Sequence, residues 1–461
     1  MERKGNRLVH ASLVTRSRMW GTLLMLTIPY GRAFAQPTVV AYYPSWLRGT
    51  LPASRIQFQN VTHIVHAFAW PESNGKIGRY TDLTYPELIA ATHGAGKKIL
   101  IALGGWGQSS GFTSMAADPA ARAAFIQNLI RFCDDNGYDG VDVDWEYPSS
   151  AADRSNLNCL IKELREAFSA LGKGWVLSMA VPSGSWAGQW FDYDSLKQHV
   201  DWFGCMTYDF MGSWVPIATH NSPLYPRSPH TTGSVHEGIE YLHSTRSVPK
   251  NKILLGIPFY GRGCNATGLF HTNTGGNTEH YYSDIQPRIG RDWNYFWDDT
   301  CKVPYLLNSS GTKFISFDDT VSVRLKCTYA KERALAGVMI WALGQDVIAT
   351  QQPLLETVGR VMGLTAVARP RPKEPTSFLQ LSSYPNPVNG VATVPLYSPK
   401  QEELTLELFD ARGREVASIR NCKPAGWYLL RLELKDLPSG IYVYSVCGAG
   451  FAGTGKLTIA K

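Results

Sequence analysis

Eight short apolar runs recur across the first three quarters of the chain, and their spacing limits the possible folds more than any other feature. They are Val39–Tyr43, Val61–Phe68, Lys98–Leu103, Val141–Trp145, Val176–Val181, Trp202–Tyr208, Ile253–Pro258 and Val338–Leu343. Near-continuous apolar runs of this length suit strands covered on both faces. The stretches between them, such as Pro119–Asn136 and Arg154–Leu171, carry the spacing of amphipathic helices. Eight βα units in succession predict an α/β protein, a (β/α)8 TIM barrel, with an open doubly wound sheet as the structural alternative. One unit is swollen. From Cys264 to about Ala336 the chain inserts Tyr281-Tyr282, Trp293, Trp297 and Phe314–Asp319 before the last strand, which predicts a small α+β lobe walling a groove at the barrel's top.

The chain's two ends read differently. Residues 1–35 have the layout of an export signal, with basic residues to Arg18, an apolar core from Met19 to Ile28 and small residues at Ala33-Phe34-Ala35. That apolar core is too short to span a membrane. A Pro-rich linker, 366–376, separates the predicted barrel domain, 36–365, from a predicted β-sandwich, 377–461. In the latter, short alternating strands (Thr405–Phe409, Tyr428–Leu434, Ile441–Val446, Lys456–Ile459) are joined by turns such as Asp410-Ala411-Arg412-Gly413.

The formal charge of +7 does not indicate nucleic acid or a membrane surface as partner. Arg3, Lys4, Arg7, Arg16, Arg18 and Arg32 against Glu2 place a net +5 in the first 35 residues, leaving +2 for the rest. Aromatic residues, at 12% with 14 Trp, are enough to line a cleft for sugar rings as well as to fill a core. Eight cysteines fit an oxidising compartment without forming a scaffold. Cys205 reads as a buried thiol, while Cys422 with Cys447, and a pair among Cys264, Cys301 and Cys327, are the candidate bridges. No C-x-x-C suggests a metal, and neither a metal nor a cofactor is expected.

The chemistry concentrates in Asp139-Gly140-Val141-Asp142-Val143-Asp144-Trp145-Glu146-Tyr147-Pro148. On a strand, Asp142, Asp144 and Glu146 share one face at steps of about 7 Å, with Val141, Val143 and Trp145 on the other. Burial and mutual repulsion favour the neutral acid, which suits a general acid. A solvated face does not usually alternate with Val and Trp, and a hard cation needs several oxygen ligands about one point. Asp139, on the opposite parity, reads as structural.

These residues resemble the D-x-x-D-x-D-x-E signature of the chitinases of glycoside hydrolase family 18. Other strand ends are similar too: Ala102-Leu103-Gly104-Gly105-Trp106, Met206-Thr207-Tyr208-Asp209, Gly256–Arg262 and Trp341. The resemblance covers about residues 37–363. It implies retaining, substrate-assisted hydrolysis of β-1,4-linked N-acetylglucosamine, with Glu146 as acid and then base, Asp144 holding the acetamido group, Asp142 sharing a proton with Asp144, and Tyr208 bonding the acetamido oxygen. It further implies sugar contacts from Trp341, Trp106, Tyr43, Trp46, Phe68, Met206, Asp209, Trp214, Tyr260 and Arg262; for Trp46 and Phe68 a packing role is nearly as well supported. Ala102 stands where many members have Ser. Alternatives are an endo-β-N-acetylglucosaminidase acting on glycoprotein glycans and a lectin-like barrel, although lectins of this kind typically lose the acid.

The C-terminal segment resembles the type A sorting domain of the type IX secretion system through Tyr384-Pro385-Asn386-Pro387, Phe409–Gly413 and Leu437–Tyr442. The resemblance implies outer-membrane secretion machinery as a partner and a secreted, extracellular or cell-surface protein; a carbohydrate-binding sandwich is the alternative. Chitin or chitooligosaccharides are the expected substrate, and a monomer is the expected state.

Overall fold

A computed structural model describes residues 37–365 apart from 82 and 231, and 379–461 apart from 381–382, 384–385, 399–401, 424–425 and 449–450. The expected export signal, the linker and Tyr384-Pro385 lie outside the described residues. The eight apolar runs form eight parallel strands: Thr38–Pro44, His63–Pro71, Lys98–Gly104, Gly140–Asp144, Val176–Pro182, Trp202–Met206, Ile253–Pro258 and Gly337–Trp341. Each pairs with the next, and the first pairs with both the second and the eighth, which closes the barrel.

Strand parity divides the core into two layers. Outward residues such as Val39, Ala41, Ile101, Val141, Val143, Leu177 and Ile340 are fully buried against the surrounding helices. Inward residues, including Val40, Tyr42, Val65, Ala67, Leu100, Ala102, Leu254 and Met339, fill the barrel's interior. The helix Pro119–Asn136 has Asp118 as its N-cap and left-handed Gly137 at its end, and Ala151–Leu171 starts from Ser150, whose hydroxyl accepts the Asp153 N–H at 3.0 Å.

The inserted lobe is a five-stranded antiparallel sheet beginning at Tyr260, in the order Thr278–Tyr281, Tyr260–Asn265, Lys313–Ser316, Val303–Asn308, Trp293–Asp298. The following helix, Thr320–Glu332, contributes Val323 and Cys327 to the barrel's outer layer. The C-terminal region folds into a three-stranded and a four-stranded antiparallel sheet sharing a core that includes Val394, Leu406, Leu432, Tyr444 and Leu457.

Neither candidate disulfide forms. Cys422 pairs in register with Glu403 and Cys447 with Thr405, on opposite sides of the strand Glu402–Phe409. Two strand spacings separate them by about 10 Å, beyond the ~7 Å that a bridge tolerates between Cα atoms. Cys264, Cys301 and Cys327 are free, buried thiols: Cys264 belongs to the lobe core and Cys327 to the barrel's outer layer.

Candidate active site

The three acids rise along the fourth strand toward the open end of the barrel, and each meets a different environment. Asp142, deepest, is buried and fully bonded: Tyr42 Oη donates to its Oδ2 at 2.5 Å and Ser178 Oγ to its Oδ1 at 2.5 Å. Burial raises its pKa, and the two hydroxyls oppose the rise. Asp144, one step up, is buried with an Oδ1 that has no partner. Desolvation, then the charges of Glu146 and Asp142, push its carboxyl well above the usual range.

Glu146 lies two residues past the strand end, half-buried. Burial raises its pKa from 4.5 to about 7; the Tyr147 hydroxyl and the Trp106 N–H, both donating to it, hold the rise back, while the charge of Asp209 adds to it. Its backbone is fixed from the loop that follows the third strand. Glu146 N–H donates to Ser109 Oγ at 2.9 Å, and Gly105 N–H donates to the Asp144 carbonyl at 2.8 Å. That close approach requires glycine: a Cβ on Gly104, whose φ is +104°, would stand 2.3 Å from the Asp144 carbonyl oxygen. On the outward face, Trp145 stacks on Phe112 with centroids 5.0 Å apart.

Around these acids the strand ends supply an aromatic cleft. Trp341 packs against Tyr42 at 5.5 Å and is stacked by Phe68 at 5.7 Å, with Trp46 behind Phe68 at 6.4 Å. Tyr208 lies edge-on to Tyr260 and packs with Met206 and Trp341 against the inward layer; burial and the charge of Asp144 keep its hydroxyl protonated. Trp106 is 79% exposed and Trp214 61%, unusual for the largest apolar side chains. Tyr260 Oη and Arg262 Nε both donate to Asp209 Oδ1 at 2.6 Å, and the Arg262 guanidinium lies over Trp214 at 5.4 Å.

Tyr43 does not belong to this cleft. It faces outward, fully buried, and its hydroxyl donates to the Leu51 carbonyl at 2.7 Å. Its neighbour Tyr42 has the inward parity and meets Asp142 instead. Phe68, 6% exposed, supports Trp341 from behind. Asp139 accepts from Ile99 N–H at 2.8 Å and contacts His93 at the opposite end of the strand.

Four residues of this arrangement were not singled out by the sequence pattern: Tyr42, Ser178, Tyr147 and Trp186. Period-two parity offered a signal for the first two, since Tyr42 alternates with Val40 and Ser178 pairs in register with Asp142. Trp186, exposed and edge-on to Tyr147 at 5.0 Å, lies in a short helix after the fifth strand that carries no such signal.

One strand and the two residues after it thus carry a bonded acid, an incompletely bonded acid and an acid raised to about 7, in a fold that also exposes Trp106 and Trp214. The sequence profile of the glycosyl hydrolases family 18 matches residues 38–346, which hold all of these residues. The chain belongs to glycosyl hydrolase family 18. A second profile, the secretion system C-terminal sorting domain, matches 382–460 and marks the chain for export to the cell surface or medium. Chitinase A1 of Niallia circulans is 34% identical over 294 residues, 56% of this chain and 42% of that one. An endochitinase of Manduca sexta is 29% identical over 395 residues, covering 73% and 70%. The chain therefore spans under half the length of the former and about two thirds of the latter. The solved Ostrinia furnacalis Group IV chitinase in complex with allosamidin is 27% identical with a TM-score of 0.66, over 71% of this chain and 99% of that one. Among the described residues no helix is long and apolar enough to cross a membrane.

Proposed function

We propose that this protein is a secreted chitinase that hydrolyses β-1,4 N-acetylglucosamine linkages in chitin and chitooligosaccharides with retention, using the substrate's acetamido group. The observation that carries this reading is the buried, unpartnered Oδ1 of Asp144 beside Glu146. A buried carboxylate oxygen without a donor is unfavourable, and a sugar acetamide N–H brought over the site supplies one. With the acetamide held there, its carbonyl attacks the anomeric carbon. Glu146, protonated up to about pH 7, gives its proton to the glycosidic oxygen. Water then opens the oxazolinium ring and Glu146 takes the proton back. Asp142 shares the charge of Asp144 through this step, Tyr208 holds the acetamido oxygen, and Trp341 forms the floor under the sugar. Trp106, Trp214 and Trp46 are proposed to carry flanking sugars, with Met206 and Asp209 shaping the pocket. We assign the chain as a monomer delivered by outer-membrane secretion machinery.

The test compares hydrolysis of N-acetylglucosamine oligomers and of a glycoprotein glycan, with Glu146→Gln beside the parent. Cleavage of the oligomers, lost in Glu146→Gln with oligomer binding retained, is the expected result. Cleavage of the glycan alone would establish the glycoprotein-directed alternative. Binding without cleavage by the parent would establish a lectin.

A further inference from the structure

The inserted lobe reaches the acid through one guanidinium. Arg262 lies on the lobe's first strand, 2.6 Å from Asp209 Oδ1 through Nε, and on its other side a terminal nitrogen lies 3.9 Å from Glu279 Oε2. Glu279 is directly opposite Arg262 in register, on the strand Thr278–Tyr281. One cation is therefore shared between two carboxylates. Of the two carboxylates, Asp209 is the one whose charge raises the Glu146 pKa. The arrangement is built rather than incidental: Asp209 has a left-handed φ of +61°, its N–H donates to Asn221 Oδ1 at 3.2 Å, and Tyr260 fixes the same Oδ1 that Arg262 holds.

We propose that Arg262 and Glu279 divide one positive charge so as to set how much of the Asp209 charge is felt at Glu146, making them positioning residues by which the inserted lobe adjusts an acid it does not touch. This rests on the reading of Glu146 as acid and base given above. An Arg262 fully committed to Asp209 cancels most of that carboxylate's field. Glu279, on the other side of the same guanidinium, adds a negative charge that opposes the cation, so less of the Asp209 charge is cancelled at Glu146. The other groups in play are few and fixed. Glu146 faces Asp144 and, beyond it, Asp142 from its own strand, with Tyr147 beside it and Tyr208 and Asp209 from the end of the sixth strand. Asp209 faces Tyr208, Tyr260, Arg262 and Glu279. Burial raises the pKa of Glu279, the Arg262 guanidinium opposes the rise, and the nearby Asp209 adds to it.

The two partners should act with opposite signs. The experiment is the pH profile of kcat/KM on an N-acetylglucosamine oligomer for the full chain and for Glu279→Gln, Arg262→Gln and Arg262→Lys, with kcat and KM resolved separately. Glu279→Gln should move the alkaline limb down by about half a pH unit and leave KM within about twofold. Arg262→Gln should move it up by at least as much, and should raise KM several-fold because Trp214 loses its stacked partner. Arg262→Lys should restore much of the limb but not KM, since an ammonium carries the charge without the planar stack. A merely structural role moves neither limb in a signed way. Limbs that stay in place, or move in the same direction in Glu279→Gln and Arg262→Gln, overturn the inference when Glu146→Gln is inactive. Full turnover in Glu146→Gln would instead overturn the assignment of the acid, and this inference with it.

Discussion

Two groups of buried acids, one in the barrel and one in or beside the inserted lobe, are handled in opposite ways. Asp318 is fully buried, but Lys326, equally buried, sits 2.6 Å from it, and Ser322 and Ser222 complete the bonding of the pair. Asp298, likewise buried, is bonded by His220 and Arg227. Around Asp142, Asp144 and Glu146 the neighbours are hydroxyls, N–H groups and other acids, with no Lys or Arg among the groups that shift them. A buried acid with a cation is neutralised once and for all, and serves the fold. A buried acid without one is pushed toward its protonated form, which a proton-transfer site requires but which does not mark one alone: Asp346, held by the Leu354 and Leu355 N–H groups with no cation beside it, is also raised to about 7.

The largest effect expected from this contrast is on turnover. Glu146→Gln should lower kcat by about three orders of magnitude while leaving oligosaccharide binding in place, as read by steady-state rates and calorimetry. The same substitution should act on stability with a definite sign. Folding raises Glu146 from 4.5 to about 7, so its contribution is fully present below the unfolded value and is lost as pH rises through about 7. Denaturant melts should therefore find Glu146→Gln more stable than the parent at pH 8, by about 3 kcal/mol, and equal to it at pH 4. Lys326→Met is the mirror case. It strands Asp318, and should destabilise the fold by about 3–5 kcal/mol while molecules that remain folded keep their kcat. A Lys326→Met protein that melts like the parent would break the comparison.

Smaller effects sharpen it. Tyr42→Phe removes a donor to Asp142 and should lower kcat/KM about tenfold, whereas Tyr43→Phe, whose hydroxyl only meets the Leu51 carbonyl, should leave kcat/KM unchanged. The parent's kcat/KM should fall on an alkaline limb near pH 7, as Glu146 loses its proton. Ending the chain after Thr376 should block secretion by the native host without changing kcat of the purified barrel. Normal secretion with weakened chitin binding would make the C-terminal domain a sugar-binding module instead.

Much of this was legible from one dimension. The barrel followed from apolar runs long enough to be buried on both faces, and the acid row from strict alternation, because both patterns repeat with the period of the structure they form. Legibility failed where the period stops. Tyr42 and Tyr43 are adjacent, and one step of register decides which sees the cleft. Tyr147 and Trp186 lie past strand ends, where no period fixes direction. The edge strand Glu415–Lys423 and the strand Val391–Ser398, interrupted by Pro395, lacked the clean alternation of their neighbours. The cysteine pairing failed for a related reason: count and spacing carry no information about which strand lies between Cys422 and Cys447.

The central claim is that Asp144 holds the acetamido group so that the substrate supplies its own nucleophile while Glu146 handles the proton. The most direct test is proton NMR of the first products released from N-acetylglucosamine oligomers, read before mutarotation. The account predicts the β-anomer at the new reducing end. Initial release of the α-anomer would mean that water attacks directly from the opposite face, and would contradict it.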